Sequence, residues 1–498
     1  MNIRTFLLIL VFCTLGKRLS AQSNFGFEQG LSGWQTKGKV TLDREHAYQG
    51  IACAGIEWGS LTTLLPVIPF AVVEFNFHIR ASQKGAQANI FLRFYDKKHR
   101  LLLSYVNPVA DSVNYHQAGN YTEAPPYAAA MEIGIEKAPG SAGVFYADDF
   151  SIASSKIAHR PIVNIGQYMR PFWHSDTIVN ETVLLYSVKG KPAVGNLMYL
   201  PSQVLSIKSY DLKRTYTSGK DYRQESKVIT RIINSAMPFR ADTSFLKSDL
   251  AWYNTQSQWV VVTYTHHDKW EGAAPLFKGR LLPKTMAKLK SGKPLRILAY
   301  GMSITRGMDV SGFDTIPPFM PTYVDLFARQ LRKTYHDKDI KLYNAGLPGS
   351  TVDWGAKYAA QYINPLKPDL VILDFGMNDF WRLKPLEFKS YIDTIMQKVR
   401  RNNPDTEFLL LANMQFDPDY ILDTDPYKEF YTSNLSGYSQ LLQQMEKEGV
   451  VCLDMYQYSD ELYRLKKAKD CLANPLHPND FMARWYAQAL SALLVPNF

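Results

Sequence analysis

Two rhythms of apolar and polar residues divide the chain. From residue 24 to about 153, short segments such as VVEFNFHIRA and ANIFLRFYD alternate apolar with polar positions, and clusters of Gly, Pro, Asn and Asp separate them. A period of two puts the apolar side chains on one face of a strand, so this stretch predicts an antiparallel β-fold. ASSKIAHRP (153–161) reads as a linker, and residues 162 to about 285 are again strand-rich, with ETVLLYSV, SQVLSIKSYD, SKVITRII and QWVVVTYTH. A second β-sandwich is the simplest account of them. After KSGKP (290–294) the rhythm changes. Apolar runs LRILAY, IKLYNA, DLVILDF, EFLLLAN and VVCLDMY now alternate with amphipathic segments such as PTYVDLFARQLRKTY and PLEFKSYIDTIMQKVRR, and DFMARWYAQALSALL closes the chain. That alternation predicts a parallel sheet covered by helices on both faces. The expected organisation is a multidomain chain: two N-terminal β-sandwich domains over 22–155 and 160–288, then an α/β three-layer domain over 293–498.

The first residues do not belong to this pattern. Arg4 precedes an apolar run from Thr5 to Leu15, and Ala21 is a plausible cleavage position, so 1–21 reads as a secretory signal peptide. The run is too short to span a bilayer, and no later segment is longer and equally apolar. Export to the periplasm or the medium is the expectation. Losing Arg4, Lys17 and Arg18 with the leader lowers the formal charge of +10 by three. No long basic run is present, so a solvated, slightly basic surface is expected and nucleic acid is not an expected partner. Cys53, Cys452 and Cys471 remain. They make no disulfide framework: Cys452 could pair with Cys471, or all three could be buried thiols. No Cys/His cluster has metal-ligand spacing. WHSD (173–176) and HHD (266–268) read as solvated loop residues.

In a parallel sheet ligands bind beyond the C-terminal ends of the strands. After the first expected strand comes GMSITRG (301–307), with Ser303 at the start of the next helix. After the second comes NAGLPGST, in which Gly346 lets a backbone N–H approach a ligand closely. GMND (376–379) follows the third and offers the amide of Asn378, and NPLH, with His477, follows the fifth. A hydroxyl, a backbone amide, a side-chain amide and an imidazole at one sheet edge suit acyl transfer. The serine would attack a carbonyl, the histidine would shuttle its proton, and Ser303 N, Gly346 N and Asn378 Nδ2 would form the oxyanion hole.

These four residues, in this order and in these contexts, resemble the SGNH (GDSL-type) hydrolases from about residue 294 to the end. The resemblance implies a flavodoxin-like three-layer sandwich and ester hydrolysis without metal or organic cofactor. In that family an acid usually stands where this chain has Met302, and an aspartate three residues before the histidine, where this chain has Asn474. The expected site is therefore Ser303, His477 and Asn474, with Asn474 orienting the imidazole. Asp454 and Asp480 are the candidate substitutes for an acid. The opening NFGFEQGLSGW and closing GVFYADDFSIA of the first β-region resemble the two ends of carbohydrate-binding jelly-roll modules, in which acids like Glu28, Asp148 and Asp149 can help hold a structural calcium ion. Export, the β-modules and the aromatic content together suggest an acylated polysaccharide or glycan as partner, deacetylated by a carbohydrate esterase. Trp354 and Trp381 are candidates for stacking on sugar rings. The competing readings are a glycan-binding protein with an inactive hydrolase domain and a lipid or thioester hydrolase.

Overall fold

The computed structural model describes residues 24–68, 71–99, 101–109, 111–124, 128–155, 164–241, 258–314, 316–336, 339–421 and 423–498, so the expected leader lies outside the described residues. The chain forms two compact units, 1–160 and 161–498.

In the first unit β1 (Gln35–Asp43), β2 (Cys53–Pro66), β3 (Val72–Ala81), β4 (Asn89–Tyr95), β5 (Leu101–Pro108), β6 (His116–Glu123), β7 (Ala130–Lys137) and β8 (Phe145–Ser155) form one sheet. Its order is β5-β4-β7-β2-β8-β3-β6, with β1 on β2. The pairings are antiparallel, as the alternation required. Val73, Phe75, Phe77 and Ile79 of β3 are buried, and Glu74 between the first two is exposed. Strand β2 serves both halves of the sheet: Ala54–Ile56 pair with β8, and Gly59–Pro66 pair with β7. The change of partner falls at Gly59, whose φ of +105° and whose closeness to the Lys37 carbonyl (1.8 Å from a built Cβ) only glycine allows. The acids near the ends of this unit serve backbone amides. Glu28 accepts from Ile51 N at 3.1 Å, and Asp148 Oδ2 accepts from Tyr48 N at 2.8 Å and Gln49 N at 3.0 Å. Asp149 lies 3.1 Å from His78. Among the described residues no group of three or more His, Cys, Asp or Glu is placed to hold a metal ion.

The second unit contains both remaining regions. β9 (Thr177–Leu184), β10 (Val194–Asn196), β11 (Pro201–Ser209), β12 (Thr215–Tyr216), β13 (Tyr222–Glu225), β14 (Val228–Arg231) and β15 (Trp259–His266) make two antiparallel sheets, β12-β11-β15-β9 and β10-β14-β13. β16 (Leu295–Gly301), β17 (Ile340–Gly346), β18 (Leu370–Asp374), β19 (Glu407–Ala412) and β20 (Val450–Asp454) form the parallel sheet, in the order β17-β16-β18-β19-β20. All five residues of β18 are buried, which is why the apolar runs are continuous rather than alternating. The helices between them read from the sequence in the same way. Tyr323–Tyr335 starts where Thr322 accepts from Asp325 N, carries Arg332 and Lys333 in its last turn, and buries Val324, Phe327 and Leu331 on one face. Each such burial contributes about 1.5–3 kcal/mol.

The middle strands, expected as a body of their own over 160–288, share one compact unit with the parallel sheet. The reason is a set of polar groups buried between β9, β15 and the segment 466–484. Lys466 Nζ lies 2.6 Å from Glu181 Oε1, with both side chains fully buried, and it also donates to the Thr182 carbonyl at 2.7 Å. Glu181 accepts further bonds from Tyr264 OH and Met198 N. Leu184 N donates to Asp470 Oδ1 at 2.7 Å, and Arg484 donates to the Val179 and Asn180 carbonyls at 2.7 and 2.8 Å. Separation would strand these charges, so the sheets are held together. The three cysteines are free and buried, so the Cys452–Cys471 pairing is not formed.

Lys466→Met should therefore lower the unfolding free energy by about 3–5 kcal/mol, because Glu181 would be left as an uncompensated buried charge. Lys389→Ala, which removes a half-exposed pair with Asp393 at 2.7 Å, should cost less than about 0.5 kcal/mol. Urea titration of the two variants checks the contrast, and equal losses would refute it.

Candidate active site

The order of the parallel sheet reverses at β16: the chain passes first to β17 on one side, then to β18 on the other. A crevice opens at such a point. The ends are level, since Gly301 is in register with both Gly346 and Asp374. Ser303 opens the short helix Ser303–Arg306 immediately past β16. This helix lies close against β17, and a Cβ on Gly346 would come within 2.5 Å of Arg306 N. Asn344 fastens the two, donating from Nδ2 to the Thr305 carbonyl at 2.7 Å while its Oδ1 accepts from Gly346 N at 3.0 Å.

The acid missing at Met302 is not needed to hold this turn. Met302 N donates to Thr305 Oγ1 at 2.9 Å, and Thr305 Oγ1 donates to Asp374 Oδ2 at 2.7 Å. Tyr323 OH donates to the same oxygen at 2.6 Å. Burial pushes the Asp374 carboxyl up to about 6, against the hydrogen bonds from Tyr323, Thr305 and Asn413 that favour its charge.

His477 stands 174 residues later, on a small hairpin of β21 (Leu472–Asn474) and β22 (His477–Pro478). Its Nε2 lies 2.7 Å from Ser303 Oγ. The two are thus brought together as expected. The partner of the other ring nitrogen is not the expected one. His477 Nδ1 lies 2.6 Å from Asp309 Oδ2. Asn474 does not take the acid's place, because its Oδ1 is occupied by Leu476 N at 2.9 Å and His477 N at 3.0 Å, which form the turn. What faces the imidazole is its Nδ2, a donor, 2.8 Å from His477 Nδ1 and 2.6 Å from Asp309 Oδ2. Two donors cannot bond each other, so both N–H groups converge on the Asp309 carboxylate. Asn474 is a prop for the acid and the hairpin.

The two proposed substitutes are placed elsewhere. Asp454 caps the helix Met455–Leu465 and accepts from Ser439 and Gln443. Asp480 is buried, and its oxygens accept from Ser311 N at 2.8 Å and Ser311 Oγ at 2.6 Å. Burial pushes its carboxyl up to about 6. Ser311 is two residues from Asp309, so Asp480 anchors the loop that presents the acid. Asp309 itself has φ +65°, a conformation that costs a side chain energy and that Asp tolerates better than most residues. An aspartate six positions after the serine, in a segment with no regular period, carried no signal beyond its residue type.

Asn378 follows β18, and its Nδ2 donates to the Ser350 carbonyl at 2.9 Å, which fixes the amide. Its neighbour Asp379 is structural. Asp379 accepts from Val352 N and Gly376 N, and burial raises its carboxyl to about 7. The two tryptophans differ. On the helix Val352–Ile363, Trp354 packs with Tyr358 and Tyr362 and against the buried Tyr300 of β16. Trp381 borders an open cleft of about 590 Å³. In HHD, His266 is buried, stacks on Tyr199 and bonds the Asp268 carbonyl; in WHSD, Ser175 and Asp176 bond Thr177.

No curated protein matches the chain. Among solved structures it is similar to the enzymatically active domain of tailspike protein 4 of bacteriophage CBA120, at 14% identity, 28% of this chain and a TM-score of 0.24; the chain spans only 22% of that protein. It is similar to Axe2, an acetylxylan esterase from Geobacillus stearothermophilus, at 19% identity over 42% of this chain and 100% of that one, with a TM-score of 0.32. It is also similar to the CBM22-1 xylan-binding domain of Xyn10C from Paenibacillus barcinonensis, at 19% identity over 29% of this chain and 98% of that one, with a TM-score of 0.24. The profile of the GDSL-like lipase/acylhydrolase family matches residues 299–485, a span that contains Ser303, Asp309, Gly346, Asn378 and His477. Residues 299–485 are a domain of the GDSL-like lipase/acylhydrolase family.

Proposed function

We propose that the chain is an exported serine esterase that removes O-acetyl groups from a polysaccharide or other glycan through an acyl-enzyme on Ser303. The observation that carries this reading is the continuous hydrogen-bonded line from Ser303 Oγ through the His477 ring to Asp309. Asp309 fixes the Nδ1–H tautomer, which leaves the Nε2 lone pair for the serine hydroxyl. Ser303 Oγ attacks the ester carbon as Nε2 takes its proton, and the Asp309 charge stabilises the imidazolium. The tetrahedral oxyanion is held by Ser303 N, by the Asn378 amide hydrogen not used on Ser350, and by Gly346 N, which it must share with Asn344. Collapse expels the sugar alcohol, which takes the proton from Nε2. Water then attacks the acyl-serine with His477 as base, and acetate leaves.

The glycan half of the reading is supported by the leader-like opening and by the antiparallel unit that precedes the hydrolase domain. The two departures that favour an inactive domain, Met302 and Asn474, are each offset by a carboxylate, Asp374 beneath the serine turn and Asp309 on the His477 ring. The decisive assay is acetate release over a panel of acetylated xylan, pectin and sialylated glycans. Release by the wild type that Ser303→Ala abolishes supports the esterase. Tight glycan binding with no turnover of any ester would establish a binding protein instead.

Four substitutions test the roles. Ser303→Ala should lower turnover by at least about 10³-fold at unchanged thermal stability. Asp309→Asn should cost about 10²–10⁴-fold, and Asn474→Ala about 10- to 100-fold, through the lost bond to the Asp309 carboxylate and the two lost bonds that close the hairpin turn. If Asn474→Ala proves the more damaging, the assignment of the acid is wrong. Asn378→Ala should lower kcat about 10²–10³-fold with little change in KM; a pure KM effect would place the amide on the substrate and not on the oxyanion.

A further inference from the structure

An open cleft of about 590 Å³, within the range of small-molecule sites, is lined by Trp381, Tyr420, Ile421, Pro426 and Tyr427 together with the polar Thr424 and Asp425. It is tied to the site at two points. Trp381 stands three residues after Asn378 in the turn that follows β18, and the turn at 417–420 is bonded to the histidine hairpin, since Asp417 N donates to the Pro475 carbonyl at 2.9 Å. The rings are held before any ligand arrives. Trp381 meets Tyr420 and Tyr431 edge-on, at 5.9 and 4.7 Å between centroids, and Phe380 stacks on Phe416 beneath. Asp425 Oδ1 accepts from Tyr427 N at 2.8 Å and so orders the turn that carries Tyr427, which is 60% exposed.

We infer that this cleft is a subsite for a pyranose ring, the alcohol side of the ester, stacked on Trp381 and Tyr427. A pyranose has an apolar C–H face and a polar hydroxyl edge. Aromatic faces with a polar, water-exposed rim match both, whereas an acyl chain is better served by a closed apolar channel. Tyrosine and tryptophan side chains have only two torsions each, so ordering them on a ligand costs little conformational entropy. The inference rests on the esterase reading only in saying that the ring is the leaving group; the binding itself does not depend on turnover.

Two measurements separate these. On acetylated xylo-oligosaccharides and acetylated pectin oligomers, Trp381→Ala and Tyr427→Ala should each lower kcat/KM by on the order of tenfold or more, mainly through KM, and leave 4-nitrophenyl acetate hydrolysis within about twofold of wild type. Trp381→Phe should recover most of the loss. In the Ser303→Ala background, calorimetric binding of the same oligosaccharides without their acetyl groups should weaken by a similar factor when Trp381 or Tyr427 is also replaced. Parallel loss on both substrate types in both variants, unchanged binding in both, no binding of any oligosaccharide, or selective loss on 4-nitrophenyl octanoate would overturn the subsite. Glycan binding that needs these rings, in a protein that hydrolyses no ester, would retain the subsite and reject the esterase.

Discussion

The hydrogen bond of 2.7 Å between Ser303 Oγ and His477 Nε2 is the constraint on which the rest of the structure turns. It asks that two groups 174 residues apart be fixed to within a few tenths of an ångström. The serine side is fixed by the sheet. Gly301 ends β16 level with Gly346 and Asp374, and the helix 303–306 is clipped down by Asn344, Thr305 and Asp374. The histidine side has no sheet to hold it. It depends on a short two-stranded hairpin, residues 472–478, and that hairpin is rigid because polar groups surround it: Asn474 closes its turn, Asp417 N holds the Pro475 carbonyl, and Asn479 caps the helix that follows.

The middle sheets acquire a role from the same constraint. Asn479, two residues past the histidine, donates to Thr182 of β9 at 3.1 Å, and Lys466 and Asp470, upstream of it, are bonded to Glu181, Thr182 and Leu184. The segment carrying His477 is thus pinned against β9 on both sides of the hairpin. A buried ion pair such as Lys466–Glu181 adds little net stability over apolar packing, yet it penalises every docking in which the partners fail to meet. That property suits a place where register matters more than cohesion.

Much of this was legible in the sequence, and the exceptions share a cause. Continuous apolar runs gave the parallel strands, and residues at the ends of those runs gave Ser303, Gly346, Asn378 and His477, because strand ends obey a local rule. Asp309 obeys no such rule. It lies in a loop whose conformation is set by long-range contacts: Asp480 grips Ser311 from the start of the last helix, and Asn474 donates to Asp309 from the hairpin. Asn474 looked like a replacement for the acid because sequence places it three residues before the imidazole. Only the direction of its amide shows that it donates toward that acid. The same cause hid the union of the middle sheets with the hydrolase domain, since nothing local to Glu181 or Lys466 in the sequence marks them as a buried pair.

Both family departures then become one kind of change. In each case an acid expected at a fixed sequence position is absent, and a carboxylate from another part of the chain serves the same turn or ring: Asp374 beneath the serine turn, Asp309 behind the histidine. Electrostatics constrains where a charge stands relative to the groups it stabilises, and it is indifferent to the path by which the backbone delivers it. Asp309 at φ +65° shows that the delivery has a cost, borne by a loop that Ser311 and Asp480 hold in place. A motif missing one letter is therefore weak evidence for a dead site while a neighbouring loop can still present a carboxylate to the ring. The sharper criterion is whether the imidazole has an anionic acceptor on Nδ1, and in this chain it has one at 2.6 Å.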